Sequence, residues 1–178
     1  MDAAVRFARR HEGTPAWVQL SSELEPVHLE LVEKPIQRRK WYPLELYAHV
    51  LELAARRLSP DDPNQFLLDL GRFVMDDGVN SIYKAFFRIA SPSFVIRGSA
   101  LLWRLFFKGN KLKVTRSGKR FLHVSIQNTD TCWHGLCVSI AGGMISGLEH
   151  AGAHDVEMTT HRCRSQHNAD CVFSFVWR

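Results

Sequence analysis

The spacing of apolar residues changes period near Gly109, and that change limits the folds open to this chain. From Trp41 to Gly109 apolar residues recur at helical intervals. Leu44, Tyr47, Leu51, Ala54 and Leu58 line one segment; Phe66, Leu67, Leu70, Phe73 and Val74 line the next. Ile82, Phe86 and Ile89 follow, and LLWRLFFK completes a fourth. The punctuation agrees: Pro43 suits a first helical turn, Asp61 or Asp62 can cap before Pro63, Gly78 is an expected stop, and Ser91-Pro92 a break. After Gly109 the pattern alternates. KLKVTR and FLHVSIQ flank RSGK, which reads as a hairpin with Gly118 in its turn.

Helical spacing returns in WHGLCVSIAGGMISGLEHAGA, where Cys137, Ile140, Met144 and Leu148 share a face. Gly142, Gly143 and Gly147 would each cost a solvent-facing helix roughly 1 kcal/mol. Their presence predicts a helix pressed onto another backbone, ending near Gly152. DVEMTTHRC and CVFSFVWR then read as a second hairpin around SQHNAD. Helices, hairpin, helix, hairpin predicts an α+β domain, with an antiparallel sheet of roughly four strands and helices packed on one face. That domain is expected over 41–178. Residues 1–40 read as an N-terminal extension, in which AWVQLSSEL and PVHLELVEK alternate enough to be two short strands.

At 178 residues and 46% hydrophobic, the chain can bury the core of one domain. No apolar run spans a bilayer; ALLWRLFF is short and carries Arg104. The opening MDAAVRFARRH is not a secretory signal. A cytoplasmic location with no membrane partner is the expectation. The net charge of +5 is mild and its basic residues scattered, which argues for solvated surface over nucleic-acid binding.

The chemistry-bearing residues are the thiols. Cys132, Cys137, Cys163 and Cys171 all lie in the last third, and in a reducing compartment they favour metal or redox chemistry over structural disulfides. Cys163 and Cys171 flank the second hairpin's loop, and Cys137 lies on the preceding helix. Zinc prefers a tetrahedron of cysteine and histidine ligands. His161, two residues before Cys163, is the expected fourth ligand, with Cys132, His134, His154 and His167 in reserve and Asp170 placed to orient an imidazole. Strand parity opposes this grouping. Val156, Met158 and Thr160 fall on one face and His161 and Cys163 on the other, so a bulge near Thr159–His161 is required to turn Cys163 toward the helix. The plain alternative is that these cysteines are small buried hydrophobes.

From Trp41 onward the chain resembles the 4-vinyl reductase family of ligand-binding domains, whose fold is related to the TRAPP tethering subunits. The resemblance rests on Cys163, Cys171 and Phe173 in a C-x7-C-x-F pattern and on GLEHAGA. It implies zinc on Cys137, Cys163 and Cys171 with a glutamate, a position where this chain has Thr160. ELAARRLSP, DLGRFVMDDG and the final VW also resemble an uncharacterised myxobacterial paralogous family. The resemblance further implies a pocket for a small hydrophobic or aromatic ligand between helices and sheet. Phe86, Phe94, Trp103 and Phe106 would line it, and Tyr83, Arg97 and His123 would supply polar anchors.

Catalysis finds less support. A Cys132–His134 pair lacks identifiable orienting and oxyanion groups, no phosphate-binding loop is present, and no companion motif marks any of the nine histidines as a haem ligand. The expected function is therefore a non-enzymatic ligand-binding or sensory domain, dimerising and signalling through a separate protein, with a structural zinc site. The alternative is an interaction module with a filled core and no ligand. Sheet edges and the apolar surface near Trp41 are the expected contacts.

Overall fold

The computed structural model describes residues 1–37, 40–81, 91–127, 133–166, 168 and 170–178. Three short helices come first: α1 (Asp2–Ala8), α2 (Pro15–Glu23) and α3 (Pro26–Glu33). They are followed by α4 (Leu44–Leu58), α5 (Pro63–Ser81) and α6 (Pro92–Phe106). Strands β1 (Lys111–Ser117) and β2 (Phe121–Gln127) form the first hairpin. Helix α7 (His134–His150) precedes β3 (Glu157–Arg162) and β4 (Cys171–Val176). The sheet is antiparallel throughout, in the order β1-β2-β4-β3. The α+β architecture is the one the change of period predicts.

The two N-terminal segments expected as strands are α2 and α3. Each begins with proline in its first turn, and the Thr14 hydroxyl accepts a hydrogen bond from the Trp17 N–H at 3.2 Å. Proline in the first turn and a threonine cap start helices, and over eight or nine residues they outweigh a weak alternation. Gly78 does not end α5, which continues to Ser81. Packing on α7 carries the helix past that glycine, whose propensity cost is only about 1 kcal/mol. The helix expected around Ile82, Phe86 and Ile89 lies outside the described residues.

Helix α7 divides the molecule into two cores. Leu136 packs into a helical lobe with Ala48, Leu51, Leu67 and Leu70. Cys137, Ala141, Ile145 and Leu148 face the sheet, against Leu122, Val124, Phe173 and Phe175. Helices α5 and α7 meet backbone to backbone. A Cβ added at Gly71 would lie 1.8 Å from the Ser139 carbonyl oxygen, and one at Gly142 would lie 2.2 Å from that of Leu68. Glycine is the residue that permits this approach, as the sequence predicts. Polar ties lock the crossing. Arg72 donates to Glu149 at 2.6 Å, and the Ser146 hydroxyl donates to Asp76 at 2.5 Å. None of the described helices is long and apolar enough to cross a membrane.

Candidate thiol site

Three elements converge on one cluster of sulfurs. Cys137 sits in the first turn of α7, on the face that continues through Ala141, Ile145 and Leu148 toward the sheet. Cys171 opens β4 and points to the same core as Phe173 and Phe175. Cys163 follows β3 directly. All three are buried, and their sulfurs lie within 4.8 Å of one another. Cys137 Sγ is 3.1 Å from Cys171 Sγ, which is 4.0 Å from Cys163 Sγ. The Ser165 hydroxyl reaches Cys163 Sγ at 2.9 Å.

A β-bulge makes this possible. Met158 and Thr160 pair with Phe175 and Phe173, in register with the core face. Regular alternation would aim Cys163 at the opposite face. The register instead shifts between Thr160 and Arg162, so that Arg162 pairs with Val172. The extra residue is His161. It restores Cys163 to the core beside Cys171 and leaves its own ring on the outer face of the sheet. There His161 Nε2 lies 2.7 Å from the Ser174 hydroxyl, and its ring stands 5.2 Å from that of His123. The device that gathers the third thiol thus removes the imidazole expected as fourth ligand.

The remaining expected residues are dispersed. Asp170 accepts a hydrogen bond from buried Ser125 at 2.7 Å and pairs with Arg162 at 3.1 Å, so it orients an arginine and not an imidazole. Trp103 is buried, stacked on Phe107 at 4.2 Å, and donates its Nε1–H to Asn110 at 2.9 Å. Phe94 is half exposed. Arg97 lines a pocket of about 230 Å³ with Ser93, Ile96, Ser117 and Gly118. His123 lies on the outer sheet face with His161. Tyr83, Phe86, Cys132, His167 and the Phe106 side chain lie outside the described residues.

One arrangement had no signal in the sequence. The His28 ring on α3 stacks on His49 of α4 at 4.6 Å, and Trp133 meets His49 edge-on at 5.9 Å. His28 Nδ1 and Trp133 Nε1 are buried there without a hydrogen bond among the described residues. The three residues come from segments far apart in the chain, so no spacing rule could join them.

The sequence matches no family model, and no curated protein matches it. Solved structures do match. An H-NOX protein from S. oneidensis in its Fe(II)NO ligation state aligns over 100% of this chain and 99% of its own, at 10% identity and a TM-score of 0.71. The unliganded Fe(II) H-NOX protein from K. algicida aligns over 99% of this chain and 93% of its own, at 9% identity and a TM-score of 0.73. An oxygen-binding H-NOX domain related to soluble guanylate cyclases aligns over 100% and 95%, at 9% identity and a TM-score of 0.67.

The chain has the H-NOX fold.

This likeness corrects two expectations. The resemblance to 4-vinyl reductase and TRAPP-like domains, and to the myxobacterial family, is overturned: the structural neighbours are H-NOX domains and no family model supports the other kinships. The C-x7-C-x-F pattern reports a hairpin with inward-facing alternate residues, which unrelated sequences can share. The zinc expectation is withdrawn as well. Among the described residues the structure gathers three thiols with no fourth ligand, and the H-NOX neighbours named above carry iron or bind oxygen.

Proposed function

We propose that this chain is a non-enzymatic sensory domain on the H-NOX fold, and that its responsive element is the cluster of Cys137, Cys163 and Cys171. The likeness to H-NOX proteins along the whole chain supports a sensory role. The observation that carries the choice of element is the contact between thiols from three separate segments, α7, the turn after β3, and the start of β4.

The iron and oxygen states of the neighbours raise haem as a cofactor, and the described residues do not fit one. Haem iron is held by histidine, cysteine, methionine or tyrosine. Helix α6, which walls the pocket beside Arg97, contains none of these. Of the described histidines, His28 and His49 stack on each other at 4.6 Å, and the others are half-buried or exposed. The Tyr47 phenol is shielded from water, and burial pushes its pKa up, away from the phenolate an iron ligand requires. The thiols touch one another beneath the sheet, with Phe173 and Phe175 among them in the same core. Among the described residues the types that ligate iron are thus present but not arranged around a haem.

Thiol chemistry suits the arrangement better. Hydrogen peroxide can accept two electrons and two protons from the Cys137 and Cys171 thiols, forming one S–S bond and releasing two waters. The sulfurs must close from 3.1 Å to about 2.05 Å. A shift of that size pulls the start of α7 toward β4, and α7 is the helix shared by both cores. A chemical event at the sulfurs therefore bears on the packing of α5 against α7. Burial makes the reaction wait on local opening.

The test combines two titrations of the purified chain. Haemin is expected to give no sharp Soret band shift, whereas an axial-ligated complex would refute the haem-free reading. Peroxide is expected to shift the melting temperature of the wild type and to leave Cys171→Ser unmoved. Equal melting shifts in both proteins would refute the thiol assignment.

A further inference from the structure

The modest overall charge conceals a segregation. Between Gly78 and Thr129 the sequence holds ten lysines and arginines and not one aspartate or glutamate, although the whole chain is only +5. The rest of the molecule is therefore net acidic. Eight of the ten lie on or beside α6, β1 and the first hairpin turn, and Lys84 and Arg88 lie outside the described residues.

The outward face of this stretch combines cations with apolar side chains. Helix α6 buries Ile96 and Trp103 against the sheet lobe. On the opposite side Phe94, Arg97, Leu101 and Arg104 follow one another at intervals of three and four, which places them on one stripe, and exposed Lys108 lies just beyond the helix end. Leu101 is 68% exposed. Among the described residues, Arg97, Arg104 and Lys108 have no carboxylate partner. Trp41 comes up beside the end of the stripe, half exposed, with the Lys108 ammonium 4.1 Å from its ring centre.

We infer that this α6 face docks on an anionic lipid bilayer, lying on the surface without spanning it. Three physical arguments select that partner. A folded protein surface carries both signs of charge and is best matched by both, whereas a stretch with no carboxylate matches a surface of a single sign. Nucleic acid is also a single-sign surface, but its phosphates offer nothing to Leu101 and Trp41. A bilayer interface does: leucine enters the acyl boundary, tryptophan sits at headgroup level, and the arginines meet lipid phosphates. The expectation that the chain has no membrane partner rested on the lack of an apolar span, which says nothing of surface association.

The test is co-sedimentation of the full chain with vesicles of phosphatidylcholine alone, or of phosphatidylcholine and phosphatidylglycerol in equal parts. Binding is expected only to the anionic vesicles, and it weakens as salt is raised. Each cation near the surface contributes about fivefold. Arg97→Gln/Arg104→Gln is therefore expected to lose roughly 25-fold in partitioning by the same reckoning. Leu101→Asp should also lose binding, and a short DNA duplex serves as the comparison. All three positions are exposed, so melting temperatures should stay at the wild-type value and confirm folding. Failure to discriminate the two vesicle types overturns the inference. So does Leu101→Asp binding the anionic vesicles as well as the wild type, or DNA binding more tightly than lipid.

Discussion

Replacing Gly142 and Gly147 by alanine, one at a time, should move stability in opposite directions, although both glycines lie in α7 and both gain the same methyl group. At Gly142 the new Cβ would sit 2.2 Å from the Leu68 carbonyl oxygen and 2.9 Å from its Cα. These are backbone atoms of α5, which cannot swing aside as a side chain can. Relief requires the helices to separate by about 1 Å, against the Arg72–Glu149 and Ser146–Asp76 ties. Overpacking of this kind costs about 1–3 kcal/mol. At Gly147 the new Cβ meets only the Met75 side chain, at 3.6 Å from its Cε, which is ordinary contact. Here the helix-propensity gain of about 0.5–1 kcal/mol is kept. The two variants should thus differ by roughly 2–4 kcal/mol, or on the order of 4–16 °C in Tm for a chain of this size. Urea unfolding followed by circular dichroism measures this directly, with midpoints compared at unchanged m. Equal midpoints for the two variants would refute the close crossing of α5 and α7, and with it the placement of Cys137.

Three further outcomes follow from single residues. Tyr47 is held neutral in the folded state by burial, so its pKa lies above the ordinary value of 10.0. The folded chain then binds more protons than the unfolded chain, and stability should be intact below pH 10 and fall above it by up to about 1.4 kcal/mol per pH unit; Tyr47→Phe should flatten that slope in melts across alkaline pH. His28→Phe keeps the stack on His49 and removes a buried Nδ1 that has no hydrogen bond. It should leave stability unchanged or raise it by about 1 kcal/mol in urea melts, and a loss would show that the 3.8 Å contact of Nδ1 with the Glu25 carboxylate is stabilising. Ser125→Ala removes the 2.7 Å hydrogen bond to Asp170 from a buried position, and should cost about 1–2 kcal/mol by the same measurement.

Much of the sheet half was legible in the residues. Alternation placed β1 and β2, and the glycines of α7 announced the close approach to α5 before any contact was known. The parity conflict between Met158 and Cys163 required a bulge, and the register shift between Thr160 and Arg162 supplies it. The bulge turned only Cys163 inward and left His161 on the outer face that parity gives it, so the expected four-ligand set came apart. The N-terminal third was misread because α2 and α3 are short, and in AWVQLSSEL and PVHLELVEK a helical stripe and a strand alternation overlap over so few residues. The first-turn prolines Pro15 and Pro26 carried the better signal. Kinship was least legible. Identities are only 9–10%, and the topology that relates this chain to H-NOX proteins emerges only once the helices and sheet are assembled. The histidine stack between α3 and α4 was hidden for a related reason: contacts across distant segments leave no local pattern.

The most direct test of the thiol cluster is disulfide mapping. The folded chain is treated with a mild peroxide, alkylated, digested and analysed by mass spectrometry. Because Cys137 Sγ lies nearer to Cys171 Sγ than Cys163 Sγ does, a dominant Cys137–Cys171 linkage is expected, with Cys163 left to be alkylated. Recovery of Cys137 as a free, alkylated thiol while Cys163 and Cys171 pair with each other would contradict it.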